Sequence, residues 1–235
     1  MGSQMVFRRY ELKYLMTRRQ RDAVLAAMEP RMTLDEYGRS SIRNVYLDTP
    51  DFRLIRRSLE KPVYKEKLRV RSYGRAGAND RVFVELKKKY DGVVYKRRLA
   101  LPLIEAQACL AGRLALPDTQ IGHEIAYALA FYRNLAPAMF LSYEREAYYE
   151  KDGGDFRVTF DDSIRFRQEQ LTLDSDPCGT PLLGPDQVLM EVKTSGGIPL
   201  WMVRALSEQR VYKTSFSKYG TAYRRVISEH MERSA

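Results

Sequence analysis

YKEKLRVRSYGRAGANDRVFVELKKKYDGVVYKRRLAL, residues 64–101, reads as three successive strands. At a period of two, Lys65, Lys67, Arg69 and Arg71 share one face, and Leu68 and Val70 the other. The next run repeats this: Glu85, Lys87 and Lys89 stand against Val82, Val84 and Leu86. Asp91-Gly92 is a tight-hairpin signal, and Lys96 and Arg98 then oppose Tyr95, Arg97 and Leu99. Charged strand faces usually meet solvent over a core. The alternative is inverted, with charges lining the inside of a closed barrel and apolar faces packed under helices. Like charges on neighbouring strands repel, so cations stacked on three strands in a row favour the second reading and suggest an anion held between them.

Outward from this meander the alternation recurs. In VFRRYELKY, Phe7, Arg9, Glu11 and Lys13 share a face. Thr17 and Gln20 form a capping box for a helix running to about Met28, ahead of Pro30. Ile42–Asp48 reads as a strand, Phe52–Leu59 as a short helix, and Leu103–Leu110 and Gln120–Arg133 as helices. Met139–Tyr149 is a strand carrying Arg145, turned at Asp152-Gly153-Gly154 into a return strand in which Arg157, Thr159 and Asp161 face one way. Residues 168–186 read as a loop. VLMEVKT sets Glu191 and Lys193 against Val188, Met190 and Val192, and helices over Leu200–Gln209 and Tyr219–Met231 close the chain. No linker or long repeat interrupts this. The pattern predicts one α+β domain over residues 5–235, an antiparallel barrel of about eight strands flanked by helices. Met1-Gly2-Ser3-Gln4 reads as a cloning remnant, with Met5 as the natural start.

Composition narrows the function. The 235 residues carry a net charge of +10 and are 44% hydrophobic, which allows a sizeable core and points to an anionic partner. The two cysteines, Cys109 and Cys178, are neither a disulfide framework nor a zinc spacing, and a reducing, cytoplasmic setting is expected. With only His123 and His230, histidine-rich metal sites and most histidine-dependent catalysis are disfavoured. No apolar run approaches the ~18–20 residues of a membrane span.

Collected by strand face, the charges are mostly cations with a few carboxylates. Such a lining is costly without a ligand, since desolvating each charge is expensive. A wet tunnel holding a polyanion resolves this. Arginine forks grip phosphate oxygens in pairs, and lysine acts as a point charge. The sparse glutamates suit a divalent metal bridging carboxylate and phosphate oxygens.

YELKY, KLRVRSYG, FVELKKK, VYKRRL, SYEREAY, FRVTFDD, LMEVK and FSKYG, in that order along nearly the whole chain, resemble the VTC-type polyphosphate polymerase domain of the triphosphate tunnel (CYTH-like) superfamily. The resemblance implies an antiparallel barrel open through its middle, with the triphosphate of ATP inside and Mn2+ or Mg2+ bound. Carried over by motif, Lys13, Arg69, Arg71, Lys87, Lys96, Arg145 and Arg157 would contact phosphate. Glu191 would hold the metal, and Lys218 would touch the chain end. Lys193, Arg9, Glu11 and Glu85 join the lining by alternation. Hydrolytic CYTH-type relatives resemble a Glu-x-Glu-x-Lys pattern on the first strand. Arg9 replaces the first of those glutamates here, which tilts the expectation from hydrolysis toward transfer. The regulatory SPX domain and membrane helices of eukaryotic members are not in this sequence, and a membrane partner is left open.

The expected reaction moves the γ-phosphate of ATP to a growing inorganic polyphosphate chain and releases ADP. Arg69, Arg71, Lys87, Arg145, Arg157 and Glu191 would act at the reacting phosphates. The alternatives are a tunnel triphosphatase hydrolysing inorganic or nucleoside triphosphates, and a non-catalytic polyphosphate or RNA binder stacking bases on Tyr95, Tyr143 and Tyr149. Glu11, Glu85 and Glu191 would repel a nucleic-acid backbone, so nucleic acid is not expected as a partner.

Overall fold

The computed structural model describes residues 10–91 and 93–233. Arg9, the start of the first predicted strand at Val6, the domain start at residue 5 and Gly92 of the predicted hairpin lie outside the described residues. The elements run β1 (Tyr10–Thr17), α1 (Arg18–Met28), β2 (Met32–Asp48), α2 (Arg53–Leu59), β3 (Tyr64–Tyr73), β4 (Arg81–Tyr90), β5 (Val93–Pro102), α3 (Leu103–Leu110) and α4 (Gln120–Tyr132). They continue with β6 (Ala136–Glu150), β7 (Arg157–Arg167), β8 (Thr180–Pro181), β9 (Gln187–Thr194), α5 (Leu200–Glu208), β10 (Lys213–Thr214) and α6 (Lys218–Arg233).

The chain is mixed α and β around a large antiparallel sheet. Its hydrogen-bonded path is β10-β1-β9-β7-β6-β2-β3-β4-β5, with β8 beside β7. This corrects the expected closed barrel of about eight strands: among the described residues the sheet has ten strands and its path has two ends. The count rose because β8 and β10 are two residues each, too short to show alternation. β10 matches only Lys13 and Tyr14 of β1, through Thr214 and Lys213.

The chain packs as two compact units. The first takes the chain up to Ser40, Glu144–Ser163 and Leu183–Phe216. Its core joins Tyr14 and Met16 of β1, Val158 and Phe160 of β7, and Val188, Met190 and Val192 of β9 to Val24 and Met28 of α1 and Met202 and Leu206 of α5. These strand residues sit at alternate positions, so the opposite face carries Glu11, Lys13, Arg157, Thr159, Glu191 and Lys193. The expected capping box holds α1 in register. Thr17 Oγ accepts from the Gln20 N–H at 3.2 Å, and the Gln20 side chain accepts from the Thr17 N–H at 2.8 Å. Thr17→Ala should therefore cost about 1 kcal/mol in denaturant unfolding.

The second unit takes Ser41–Tyr143, Ile164–Leu182 and the chain from Ser217. Leu68 and Val70 of β3, Val82, Val84 and Leu86 of β4 and Leu101 of β5 are buried with Leu103, Ala106 and Cys109 of α3 and Ile125 and Ala128 of α4. The inverted pattern read from residues 64–101 is thus present in this unit: helices cover the apolar side, and the charged side is the other one. Cations on the helix side are used up locally, Arg97 and Lys88 both binding Glu124 of α4 at 2.9 and 3.3 Å. No helix of the described residues is long and apolar enough to cross a membrane.

Candidate functional site

Register decides which side chains of the second unit stand together. Tyr46, Arg69, Glu85 and Arg98 are successive cross-strand partners on β2, β3, β4 and β5. One pair further along, Lys67, Lys87 and Lys96 oppose one another, and beyond them Lys65 faces Lys89. In the other direction Asn44, Arg71 and Phe83 align. The charged face thus runs from an arginine end to a lysine end.

Glu85 is its organiser. The side chain is 1% exposed and ringed by Arg69 at 2.7 Å, Arg98 at 2.6 Å, Lys96 at 2.7 Å and Arg71 at 3.9 Å. Burial pushes its carboxyl upward, but Arg69, Arg71 and Lys96 outweigh that and hold it well below the usual carboxylate range. The remaining donors find neutral acceptors. Arg69 donates to the Tyr46 hydroxyl at 3.0 Å, and Arg71 donates to Asn44 Oδ1 at 3.0 Å and to the Tyr143 hydroxyl at 3.1 Å. The guanidinium groups are therefore fixed in place before any ligand arrives, and four cations share a single carboxylate. Lys96 departs furthest from normal lysine behaviour. Burial lowers its ammonium to about 8, against the pull of Glu85 and with Arg98 and Arg71 adding to the fall.

The start of α6 reaches the same face. Lys67 donates to Ser217 Oγ at 3.0 Å, and the Lys218 ammonium lies 4.6 Å from the centre of the Tyr143 ring. Two buried contacts anchor this segment. Tyr219 stacks on Tyr46 at 4.4 Å and donates to Asp48 at 2.9 Å, while Asp48 also accepts from the Leu54 and Ile55 N–H groups that open α2. α6 comes so close to α2 that a Cβ on Gly220 would sit 2.9 Å from Leu59 Cδ2.

In the first unit, β1 and β9 bring Lys13 opposite Glu191 and Glu11 opposite Lys193, and β7 adds Arg157 beside Lys193 and Thr159 beside Glu191. Lys13 Nζ lies 3.4 Å from Glu191 and 3.6 Å from Glu11, and donates to the Phe216 carbonyl at 2.9 Å. Arg145 forks onto the fully buried Asp161 at 2.6 and 2.7 Å and lies 3.7 Å from Glu191. The Thr159 hydroxyl, buried beside Glu191 in the register, has no hydrogen-bond partner among the described residues.

The sequence-selected residues thus fall into two groups. Lys13, Arg145 and Glu191 meet directly in the first unit, with Arg157 and Lys193 one register position away. Arg69, Arg71, Lys87, Lys96 and Lys218 share the second. Asn44, Tyr46, Tyr143 and Asp161 hold the arginines in place but were not among the selected residues. All but Asp161 are uncharged, and a search for charge patterns passes over them. His123 of α4 pairs with Asp118 at 2.9 Å on an exposed surface.

A metal would find few protein ligands, since no three of the His, Cys, Asp and Glu side chains among the described residues group to hold one. Glu191 and Glu11, both near Lys13, could supply one or two carboxylates. That suits a hard cation that takes its other ligands from phosphate and water, as magnesium does.

The family profile described as VTC domain matches residues 8–227. No curated protein matches the chain. Among solved structures, a candidate adenylate cyclase from Bacillus halodurans shares 16% identity at a TM-score of 0.54, over 88% of this chain and 92% of its own. A second candidate adenylate cyclase, from Vibrio parahaemolyticus, shares 13% identity at a TM-score of 0.53, over 93% of this chain and 99% of its own. At these identities the likeness is one of fold.

Proposed function

This chain belongs to the VTC domain family, and from that premise we propose that it is a metal-dependent enzyme of the triphosphate-tunnel type that moves the γ-phosphate of ATP onto inorganic polyphosphate. The observation that carries the reading is the row Lys67–Lys87–Lys96. Like charges directly opposite one another on neighbouring strands destabilise a sheet, and a phosphate chain running past them turns that repulsion into binding. The ring of cations on Glu85 extends the same surface with forks suited to phosphate oxygens.

In the proposed reaction an oxygen of the polyphosphate terminus forms a bond to the γ-phosphorus. The bond from that phosphorus to the β–γ bridging oxygen breaks, and ADP leaves with the electron pair. The attacking oxygen is already deprotonated, so no general base is needed. The task left to the protein is to offset repulsion between two anions and to hold them together. In the second unit Arg69 and Arg71 neutralise charge, Lys87 and Lys96 bind phosphate and Lys218 contacts the chain end; in the first unit Arg145 and Arg157 neutralise charge and Lys13 and Lys193 bind phosphate. Glu191 would hold Mn2+ or Mg2+, which supplies further neutralisation of phosphate oxygens when bound.

The test is incubation with ATP and Mn2+ or Mg2+ followed by gel separation. Long polyphosphate with stoichiometric ADP supports transfer; orthophosphate without polymer would replace it by hydrolysis. Lys87→Ala should weaken tripolyphosphate binding about tenfold by calorimetry, the worth of one charge-assisted contact. The sign of the pH effect follows from Lys96. A bound anion favours its ammonium form, so affinity should fall as pH rises between about 7 and 9, with proton uptake on binding. Lys96→Arg should flatten that profile.

A further inference from the structure

The two ends of the charged face in the second unit differ in chemistry, and we propose that the arginine end carries a subsite for the base and ribose of the nucleotide. This rests on the reading of ATP as phosphoryl donor. Tyr73 lies on the same face of β3 as Arg69 and Arg71. Tyr73 is 52% exposed, and its ring stands edge-on to Phe83 at 5.7 Å. Phe83 is covered by the Arg98 guanidinium, 4.4 Å from its centre, and Arg98 donates to the Tyr73 hydroxyl at 3.2 Å. Arg98 also contacts Glu85, so one side chain ties the aromatic pair to the ring of phosphate-binding cations. Next to this pair in the register, Ala100 being the partner of Phe83, an open depression of about 310 Å3 is lined by Asn79, Arg81 and the end of β5. That is the size at which small-molecule sites begin.

An exposed aromatic ring gives any base a stacking surface, while Asn79 and Arg81 offer an amide and a cation at the wall of the depression. Tyr73 is four residues from Arg69 along one strand, about 13 Å at the strand rise, close to the reach from the base to the γ-phosphate of an extended nucleoside triphosphate. Beyond Arg69 the face turns to lysines, which offer point charges and no aromatic surface. A nucleotide therefore has one orientation in which every part meets its match: base toward Tyr73, phosphates past Arg71 and Arg69, and γ-phosphate toward Lys67, Lys87 and Lys96. Inorganic polyphosphate, having no base, occupies the lysine end.

Calorimetric titration of the full chain with ATP and with inorganic tripolyphosphate tests this. Tyr73→Ala should weaken ATP binding about tenfold and leave tripolyphosphate affinity unchanged, and Tyr73→Phe, which keeps the ring, should retain ATP affinity. Unchanged tripolyphosphate binding doubles as proof of folding. The subsite is overturned, with the donor reading intact, if Tyr73→Ala alters both ligands equally or neither. Both fall together if the unsubstituted protein binds neither ligand.

Discussion

Replacing Glu85 by alanine is expected to lower the free energy of unfolding by about 3–5 kcal/mol, the range for breaking a buried ionic cluster from one side. The side chain is 1% exposed and lies within 4 Å of four cations. Without it, Arg69 and Arg71 are left with the neutral partners Tyr46, Asn44 and Tyr143. Mutual repulsion of the ring is then no longer offset. Urea unfolding measures the loss, and a second readout ties it to the anion site. Added tripolyphosphate should raise the melting temperature of Glu85→Ala more than that of the parent, because the ligand replaces the missing negative charge. Equal shifts would mean that the ring does not meet phosphate. The pH dependence has a definite sign. A carboxyl held below its usual range contributes stability that is complete above about pH 5 and drains away as the pH falls further.

Glu191→Ala is expected to separate activity from stability. Phosphoryl transfer should drop by about 10²–10³-fold, the usual loss when one electrostatic partner of the reacting group is removed. The fold should persist because the neighbours of Glu191 have other partners. Lys13 keeps Glu11 and the Phe216 carbonyl, and Arg145 keeps its fork on Asp161. Tripolyphosphate affinity measured in chelator should hold or rise, since a negative charge has left the face. A variant that retains full turnover, or one that unfolds, would remove Glu191 from the metal-holding role.

How far these sites could be read from the chain depends on what kind of signal each part leaves. Strands β3, β4 and β5 were legible because charged and aliphatic residues alternate over stretches such as Lys67–Arg71 and Val84–Lys87, and register then follows from the turns. The N-terminal half of β2 was not. Met32–Ser40 mixes Thr, Asp, Glu, Tyr, Gly and Arg with no period of two, although the strand runs on to Asp48. The division into two units is equally invisible. Three of its five crossings fall inside continuous strands, within β2, β6 and β7 after Ser40, Tyr143 and Ser163. The cations of the candidate site were found by their charge. The neutral residues that aim them could not be, because a hydroxyl of Tyr46 or an amide of Asn44 acquires its role only when a neighbouring strand delivers a guanidinium to it.

β5 ends the path of the sheet. The outer margin of an end strand is a template on which another chain can grow, and lysine and arginine there are a common deterrent to such self-assembly. Lys96, Arg97 and Arg98 stand consecutively on that strand. Lys96, assigned to phosphate, thus doubles as a guardian of solubility. Engineering this segment toward neutrality, for looser or altered specificity, would invite fibrous or amorphous precipitation, and a compensating charge elsewhere along the same margin should be designed in from the start.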